Sequence, residues 1–332
     1  MAKKILVIGG LGFIGNNLSR YLISKGYEVS IIDNEIESDV QFLPPGCAYY
    51  KIDIRDSSIE SVFRAVKPDV CFSCAAMAAE CLSHWNRAYC ADVNIVGTSN
   101  IINQCVNYNV KLIHFSSIAA YGNSENGPPF KETDALIPSD IYGFTKKYNE
   151  DDIKIANEMF SLQYNLIRAY NVVGGKYQNL FSKYRNVLGI WCRQILWEGG
   201  KISIYSPGTQ ERSFSNIKYI TPCLEKLIDS FDNEIFNLGS KNQMSIINAA
   251  NIVKNVANDM GYDCEIEMLP GRKEIPIAYC DNSKAENMLN LDDKTNLSET
   301  FKEMLEWGKT LEYKTPPYMN YEVTKNLYSF WK

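Results

Sequence analysis

The chain has 332 residues, 45% of them hydrophobic and 22% charged, a composition typical of a globular protein with about two domains. A net charge of −5, with no basic run longer than two residues, argues against a nucleic-acid or anionic-membrane partner. No apolar stretch reaches the ~20 residues that a membrane-spanning helix needs. The first residues predict a strand rather than a signal peptide, and the ten cysteines have no regular spacing, so we expect reduced thiols in a cytoplasmic protein.

The first half of the chain alternates predicted strands with predicted helices. The strands are expected at 4–8, 28–33, 49–52, 69–74, 111–115 and 164–169, and the helices at 13–25, 57–66, 85–108 and 139–160. Repeated β-α-β units predict an α/β fold, a Rossmann-type doubly wound parallel sheet over residues 1–171. Cys71 and Cys74 share one predicted strand, whose alternation sends their side chains to opposite faces, so no metal site is expected.

After residue 171 the pattern becomes less regular. Helices are expected at 179–196, 220–230, 246–260 and 297–311, and strands around 202–205 and 212–216. We expect 172–312 to form mainly a smaller mixed α/β substrate domain, with some elements crossing to the first unit because no flexible linker separates the two. The last segment, 313–332, is an aromatic tail with Tyr313, Tyr318, Tyr321, Tyr328, Phe330 and Trp331.

A glycine-rich loop joins the first predicted strand to the first predicted helix. Gly9 permits a tight turn, Gly12 lets a pyrophosphate approach the backbone, and Gly15 lets helix and strand pack closely. The N-terminus of the helix adds free N–H groups for phosphates. Asp33 ends the second strand 18 residues after Gly15. A carboxylate there binds ribose hydroxyls and repels a 2′-phosphate, so the loop predicts NAD rather than NADP.

Tyr142 and Lys146 lie four residues apart, on one face of a predicted helix. A nearby ammonium favours the phenolate, and the expected fall in the tyrosine pKa would make it a base near neutral pH. Four Tyr-x-x-x-Lys pairs occur in the chain, so the spacing alone is weak. Only Tyr142 follows a strand that ends in hydroxyls, those of Ser116 and Ser117. A serine there could bind the substrate hydroxyl, or it could serve a turn.

These motifs together resemble the extended short-chain dehydrogenase/reductase superfamily. The glycine loop, Asp33, the segment 117–122 and Tyr142-x-x-x-Lys146 are similar to the NAD-dependent epimerase/dehydratase family, which acts on nucleotide sugars. The resemblance covers about residues 4–290. It implies that Ser117, Tyr142 and Lys146 are catalytic, that NAD is the cofactor and that a nucleoside-diphosphate sugar is the partner.

The resemblance also implies contact residues on segments that match the family's motifs. At the cofactor, besides the residues named above, it places Phe13, Ile14, Asn34, Asp53, Ile54, Ala75, Ala76 and Asn94. At the substrate it places Ser117, Asn171, Asn186, Arg212 and Arg272. Arginine suits a diphosphate because its planar fork donates two parallel hydrogen bonds. The family's aspartate after the first of these arginines is Ser213 here, which leaves the geometry of that loop open.

The family's common first step implies that Tyr142, aided by Ser117, removes a hydroxyl proton while hydride leaves C4 of the sugar for NAD. Dehydratase and decarboxylase relatives carry acids directly after the catalytic hydroxyl residue, where this chain has Ile118 and Ala119, which transfer no protons. A 4-epimerase and a net C4 dehydrogenase forming a 4-keto sugar need no such acid, and family frequency favours the epimerase. Intact Ser117, Tyr142 and Lys146 disfavour a catalytically dead module that senses NAD or nucleotide sugars.

The resemblance further implies a homodimer, built by packing the helices 85–108 and 139–160 of two subunits into a four-helix bundle. Outward-facing apolar side chains are expected on these helices. The aromatic tail, 313–332, is expected to act either as a strap on its own second domain or as an arm that builds a larger homo-oligomer.

Overall fold

The protein is described by a computed structural model over residues 2–316 and 320–331, without the side chain of Phe330. Tyr318 of the predicted aromatic tail lies outside these residues. The strands are β1 Lys4–Ile8, β2 Glu28–Asp33, β3 Ala48–Lys51, β4 Val70–Ser73, β5 Lys111–Ser117, β6 Tyr164–Ala169, β7 Val172–Val173, β8 Lys201–Tyr205, β9 Glu211–Ser213, β10 Ser215–Asn216, β11 Glu234–Leu238, β12 Gln243–Ser245, β13 Glu265–Leu269 and β14 Ile277–Ala278. The helices are α1 Phe13–Ser24, α2 Ile59–Val66, α3 Glu80–Ser83, α4 Arg87–Ala91, α5 Gly97–Tyr108, α6 Ile141–Phe160, α7 Val187–Trp197, α8 Ile217–Asp229, α9 Ile246–Asp259, α10 Ser283–Leu289 and α11 Leu297–Gly308.

A seven-stranded parallel sheet forms the centre of the first unit, in the order β3-β2-β1-β4-β5-β6-β11. Apolar side chains of α1 and α8 pack on one face, and those of α2, α5 and α6 pack on the other. This confirms the predicted doubly wound α/β fold. The strand order reverses between β1 and β4, and the carboxyl ends of strands at such a point form the usual ligand crevice.

The two predicted units exchange elements. The seventh strand, β11, comes from the second half of the chain and pairs with β6, and α8 before it packs on α1. The remaining second half packs α7, α9 and α11 around the pair of β8 and β13 in a separate core. That smaller core stands beside the carboxyl ends of the large sheet, so a cleft lies between the units.

Three predicted elements differ from the observed ones. The helix predicted at 179–196 begins only at Val187, because Asn186 has a left-handed φ of 63° and caps α7 with its side chain. The strand predicted at 212–216 is two strands: β9 pairs with β12 and β14, whereas β10 pairs with β7. The helix predicted at 85–108 begins at Arg87 and contains a π turn over Asp92–Val96.

Within the described residues, no helix is both long enough and apolar enough to cross a membrane. The same part of the chain holds no group of three or more His, Cys, Asp or Glu side chains that could bind a metal ion. All ten cysteines are free thiols there. Cys71 and Cys74 do diverge: Cys71 packs in the core beneath α5, and Cys74 lines the cleft.

Candidate active site

The glycine loop forms a cradle at the N-terminus of α1. Gly9 has a φ of +79° and crosses so close to β4 that an added Cβ would lie 2.7 Å from the Ala75 nitrogen. A Cβ on Gly15 would lie 2.3 Å from the Gly9 carbonyl oxygen, so a side chain there would push α1 off the loop. Gly12 is the N-cap of α1 and leaves the first turn without a side-chain cap or an acidic residue. These uncapped N–H groups fit a dinucleotide diphosphate.

Asp33 stands at the end of β2 and braces this cradle. One carboxylate oxygen accepts from the Leu11 N–H at 3.0 Å, and the other accepts from the Glu35 N–H at 2.9 Å and the Ser38 hydroxyl at 2.7 Å. Asp33 is thereby held at the strand end where the sequence predicts a contact with the adenosine ribose. That contact stays a prediction.

The predicted adenine-side residues lie beside this strand end. Asn34 donates to the Asp53 carboxylate at 2.8 Å, and Arg55 forms an ion pair with the same group. The Arg55 guanidinium holds the pKa of Asp53 well below its usual range. Ile54 is buried under Gly97, where an added Cβ would meet its side chain at 2.5 Å. The carboxylate of Asp53 therefore has a structural partner, and its cofactor contact stays a prediction.

The remaining predicted cofactor residues separate into two groups. Ile14 and Ala76 line the cleft. Ala75 lies next to Ala76 and against the backbone of Gly9. Phe13 lies beside the second unit, 3.2 Å from the position that a Cβ on Gly174 would take. Asn94 does not line the cleft.

Asn94 is 1% exposed, and its side chain is used within the protein. Its amide oxygen accepts from the Met77 N–H at 2.8 Å, and its amide nitrogen donates to the Thr145 hydroxyl at 3.0 Å. The geometry therefore does not support Asn94 as a direct cofactor contact. It makes Asn94 a positioning residue that ties the segment after β4 to α6.

Ser117, Tyr142 and Lys146 meet at the carboxyl end of β5. Ser117 ends the strand; its hydroxyl accepts from the Ala119 N–H at 3.2 Å and lies within reach of the Tyr142 phenol, whose pKa it lowers. The Lys146 ammonium donates to the Phe115 carbonyl at 2.6 Å and lies 5.8 Å from the centre of the Tyr142 ring. All three side chains are less than a tenth exposed and line the cleft. The sequence prediction that these three residues lie together agrees with this geometry.

A glycine lets the helix approach the strand end this closely. Gly143 follows Tyr142 in the first turn of α6, and a Cβ there would lie 2.4 Å from the Ala119 carbonyl oxygen. Asp140 caps the helix by accepting from the Gly143 N–H at 2.8 Å. Tyr142 is thus fixed by a cap on one side and a backbone contact on the other.

The electrostatics of Tyr142 differ from the expectation. Burial raises the pKa of Tyr142 above its ordinary value, and the hydrogen bond with Ser117 offsets only part of that rise. Burial lowers the pKa of Lys146 to about 8. The pKa of Tyr142 thus lies above its ordinary value rather than below it, because desolvation is the largest influence on the phenol.

A buried ion pair lies next to the strand and the helix that carry Ser117, Tyr142 and Lys146. Arg168 on β6 forms two hydrogen bonds to Glu150 on α6, at 2.9 and 2.7 Å. Ser116 donates to the same carboxylate at 2.6 Å, on the face of β5 opposite to Ser117. Ser116 also borders the cleft, but its hydroxyl is taken up by Glu150, so Ser117 is the serine available beside Tyr142.

The cleft encloses about 840 Å³, within the range of small-molecule sites. The predicted substrate residues Asn171, Asn186, Arg212 and Arg272 all line it. The side-chain nitrogen of Asn171 is buried without a hydrogen-bond partner, and such a donor favours a ligand acceptor.

The two arginines converge on one protein carboxylate. Arg212 and Arg272 each place an Nη2 atom 3.4 Å from the same Glu274 oxygen. Glu274 also accepts from Gln210 at 2.8 Å. Arg272 stacks on the Tyr205 ring at 4.1 Å, and its Nε is buried without a partner. Arg212 also donates to the Glu211 and Ile275 carbonyls, at 2.8 Å each, so the protein holds both arginines in place and their contact with a diphosphate stays a prediction.

Several cleft residues escaped the sequence analysis. Glu80 and Cys81 come from the short helix α3, Tyr184 and Arg185 precede α7, and Trp331 comes from the tail. Glu80 is an exposed residue at the cleft. Desolvation by the cleft walls, with a smaller contribution from the Asp140 carboxylate, raises its pKa to about 7. No spacing in the sequence joins these positions, because they meet only through the packing of the two units.

A dinucleotide cradle that opens onto a buried serine–tyrosine–lysine cluster is the arrangement of a short-chain dehydrogenase/reductase enzyme. The model of the NAD dependent epimerase/dehydratase family matches residues 5–239, and the chain belongs to that family. The resemblance expected from the sequence is confirmed. The protein is accordingly an enzyme whose cofactor is NAD. Its glycine loop suits the diphosphate of that cofactor.

Two relatives and one solved structure show the range of that similarity. A putative UDP-glucose 4-epimerase of Methanocaldococcus jannaschii is 29% identical, covering 92% of this chain and 98% of the relative. A UDP-N-acetyl-alpha-D-glucosaminuronate decarboxylase of Bacillus cytotoxicus is 26% identical, covering 94% and 99%. The crystal structure of a Thermotoga maritima UDP-glucose 4-epimerase with UDP-glucose matches at a TM-score of 0.86 and 28% identity, covering 92% of this chain and 99% of that one.

Proposed function

We propose that the protein is a nucleotide-sugar 4-epimerase that oxidises C4 of a sugar linked to a nucleoside diphosphate and then reduces it on the opposite face. The observation that carries the proposal is the Ser117–Tyr142–Lys146 cluster in a cleft whose flanking positions, Ile118 and Ala119, offer no acid. Epimerases among the relatives and structural neighbours support it.

The chain's own residues would carry the proton. Because burial favours the neutral phenol, Tyr142 must first release its own proton, and as the phenolate it would accept the proton of the C4 hydroxyl. The Ser117 hydroxyl at the end of β5 would hydrogen-bond the same substrate hydroxyl. Lys146, anchored on the Phe115 carbonyl, stabilises the negative charge on the phenolate. NAD held at the glycine cradle would supply the acceptor, and afterwards the donor, of the C4 hydride. Reversing the proton step on Tyr142 completes the cycle without a further acid or base.

The substrate would be held by its diphosphate. Arg212 and Arg272 lie on the wall of the second unit and present a converging pair of guanidinium groups. The amides of Asn171 and Asn186 line the same cleft. Holding the substrate at the diphosphate leaves the sugar free to turn over between the two hydride transfers.

A net C4 dehydrogenase is the second candidate, since it uses the same cluster. We would incubate the purified protein with UDP-, dTDP-, GDP- and CDP-hexoses and follow the 4-epimer by chromatography and NADH by absorbance. The proposal predicts an equilibrium mixture of epimers with no net NADH. One NADH per sugar consumed would establish the dehydrogenase, and a 4-keto-6-deoxy sugar would establish a dehydratase.

We also propose a homodimer. Phe144, Tyr148, Ile155 and Met159 form a stripe along α6 and are each between 47% and 69% exposed. Their spacing of 4, 7 and 4 residues keeps them on one helix face, and a four-helix bundle would bury that stripe. Met159→Glu should halve the mass in solution, whereas Met268→Glu, at an exposed apolar position on β13, should not. A wild-type monomer would contradict the dimer.

The cytoplasm is the compartment that we propose for this reaction. All ten cysteines are free thiols and seven of them are buried in the described structure, which suits a reducing environment.

A further inference from the structure

The aromatic tail lies against the first unit. The backbone N–H groups of Glu322 and Val323 both donate to the Trp85 carbonyl, at 2.9 and 3.0 Å. The Trp85 indole N–H donates to the Lys325 carbonyl at 3.2 Å, and Asn86 donates to the Asn320 carbonyl at 2.7 Å. The tail is thus bound to its own chain, and it contacts the segment before α4 in the first unit as well as the second domain that the strap prediction named.

Glu322 fixes the position of the tail on helix α4. Helix α4 has no side-chain cap of its own. The Glu322 carboxylate accepts from the N–H groups of Ala88 and Tyr89, at 2.7 Å each, and so caps the helix from more than 230 residues away. A carboxylate at a helix N-terminus is favoured by the peptide dipoles as well as by the hydrogen bonds.

The end of the tail reaches the cleft. The Trp331 ring packs edge-on against Tyr184 and Trp85, with centroids 5.2 and 5.3 Å apart. The Tyr184 and Tyr321 hydroxyls are 2.9 Å apart. Trp331 lines the cleft together with Tyr184, and both belong to the apolar cluster that contains Tyr142. The tail therefore meets the cleft at the end where the chemistry occurs.

A further contact joins the tail to the anion-binding wall. The Tyr328 hydroxyl accepts from the Lys273 N–H at 3.2 Å, next to Arg272. The tail consequently ties together three parts of the cleft rim: the segment before α4, the segment before α7 that carries Tyr184, and the loop that carries Arg272.

We propose that the tail is a specificity element, in which Tyr184 forms the wall of the sugar subsite and Trp331 holds the Tyr184 ring in place. An aromatic wall packs against the C–H face of a pyranose and excludes water from it. The inference rests on the proposed function, because it assigns the sugar end of that same cleft. Trp331 is 2% exposed, so it acts largely by positioning Tyr184.

The test compares the binding of UDP-glucose, UDP and NAD by calorimetry, with KM and kcat from the epimerase assay. Trp331→Ala should raise Kd and KM for UDP-glucose ~10-fold, the loss of about one aromatic contact, with kcat changed less. Kd for UDP and for NAD should stay within ~2-fold. Trp331→Phe should recover part of the loss. Tyr313→Ala is the matched control, since Tyr313 packs on Phe181 and Trp197 away from the wall.

Unchanged UDP-glucose binding in Trp331→Ala would overturn the proposal, and so would an equal weakening of UDP and UDP-glucose. Tyr321→Phe keeps the ring and removes the hydroxyl contacts to Tyr184 and to the Trp331 carbonyl, so it tests the same wall if Trp331→Ala does not fold. It should weaken UDP-glucose by a smaller factor and leave UDP unchanged. Wild-type protein that binds UDP but converts no nucleotide sugar would refute the proposed function, whatever the variants do to binding.

Discussion

Substituting Gly143 by alanine tests whether the approach of α6 to the end of β5 sets the catalytic geometry. The new Cβ would lie 2.4 Å from the Ala119 carbonyl oxygen, whereas an ordinary contact begins at about 3.4 Å. Since the obstacle is backbone, the first turn of α6 must move by roughly 1 Å, and Tyr142 moves with it. A displacement of about 1 Å can reduce turnover ~10²-fold.

The folding cost of Gly143→Ala should be small by comparison. Overpacking costs about 1–3 kcal/mol, and the higher helix propensity of alanine returns about 1 kcal/mol. We therefore expect a net loss of at most about 2 kcal/mol, measured by denaturant unfolding, beside a ~10²-fold fall in kcat. NAD binding should persist.

Gly308→Ala is the matched control. A Cβ there would also lie 2.4 Å from its nearest neighbour, but that atom is the Cδ1 of Leu196, which can rotate away. Its kcat should match wild type. Wild-type turnover in Gly143→Ala, or a loss no greater than in Gly308→Ala, would refute the reasoning.

Three further substitutions test separate parts of the site. Tyr142→Phe keeps the ring but not the base, so stopped-flow turnover should fall ~10²–10⁴-fold while NAD still binds, and near-normal turnover would move the base elsewhere. Asp33→Asn should weaken the binding of NAD ~10-fold in calorimetry and reduce the protein's preference for NAD over NADP. A wild-type protein that bound NADP more tightly than NAD would contradict the predicted role of Asp33. Glu80, with a pKa of about 7, is neutral below that pH and anionic above it, where it opposes the pull of Arg212 and Arg272 on a diphosphate. Kd for UDP-glucose should therefore rise with pH through about 7 in wild type and stay flat in Glu80→Gln, and a flat wild-type profile would contradict this.

The sequence is sufficient to predict what depends on local pattern. Alternating β-α units predict the sheet, and the run from Gly9 to Gly15 predicts the cradle, because each feature depends on residues close in the chain. Ser117, Tyr142 and Lys146 can be placed together for the same reason: one strand end and one helix turn hold them.

What the sequence could not predict depends on packing across long separations. Asn94 matches a cofactor motif, yet its side-chain amide is hydrogen-bonded to the Met77 N–H and the Thr145 hydroxyl, which belong to two other segments. Glu322 caps α4 from the far end of the chain. The pKa of Tyr142 depends on how deeply the helix is buried, which the Tyr-x-x-x-Lys spacing does not specify.

The most direct test of the account is the fate of the sugar hydrogens in D2O. NMR of the product should show the C4 epimer with its original hydrogen at C4 and no solvent deuterium at C3, C5 or C6, because hydride leaves and returns within the site and no residue beside Ser117 exchanges a C5 proton. Deuterium at C5, or a product unchanged at C4, would contradict the proposed mechanism.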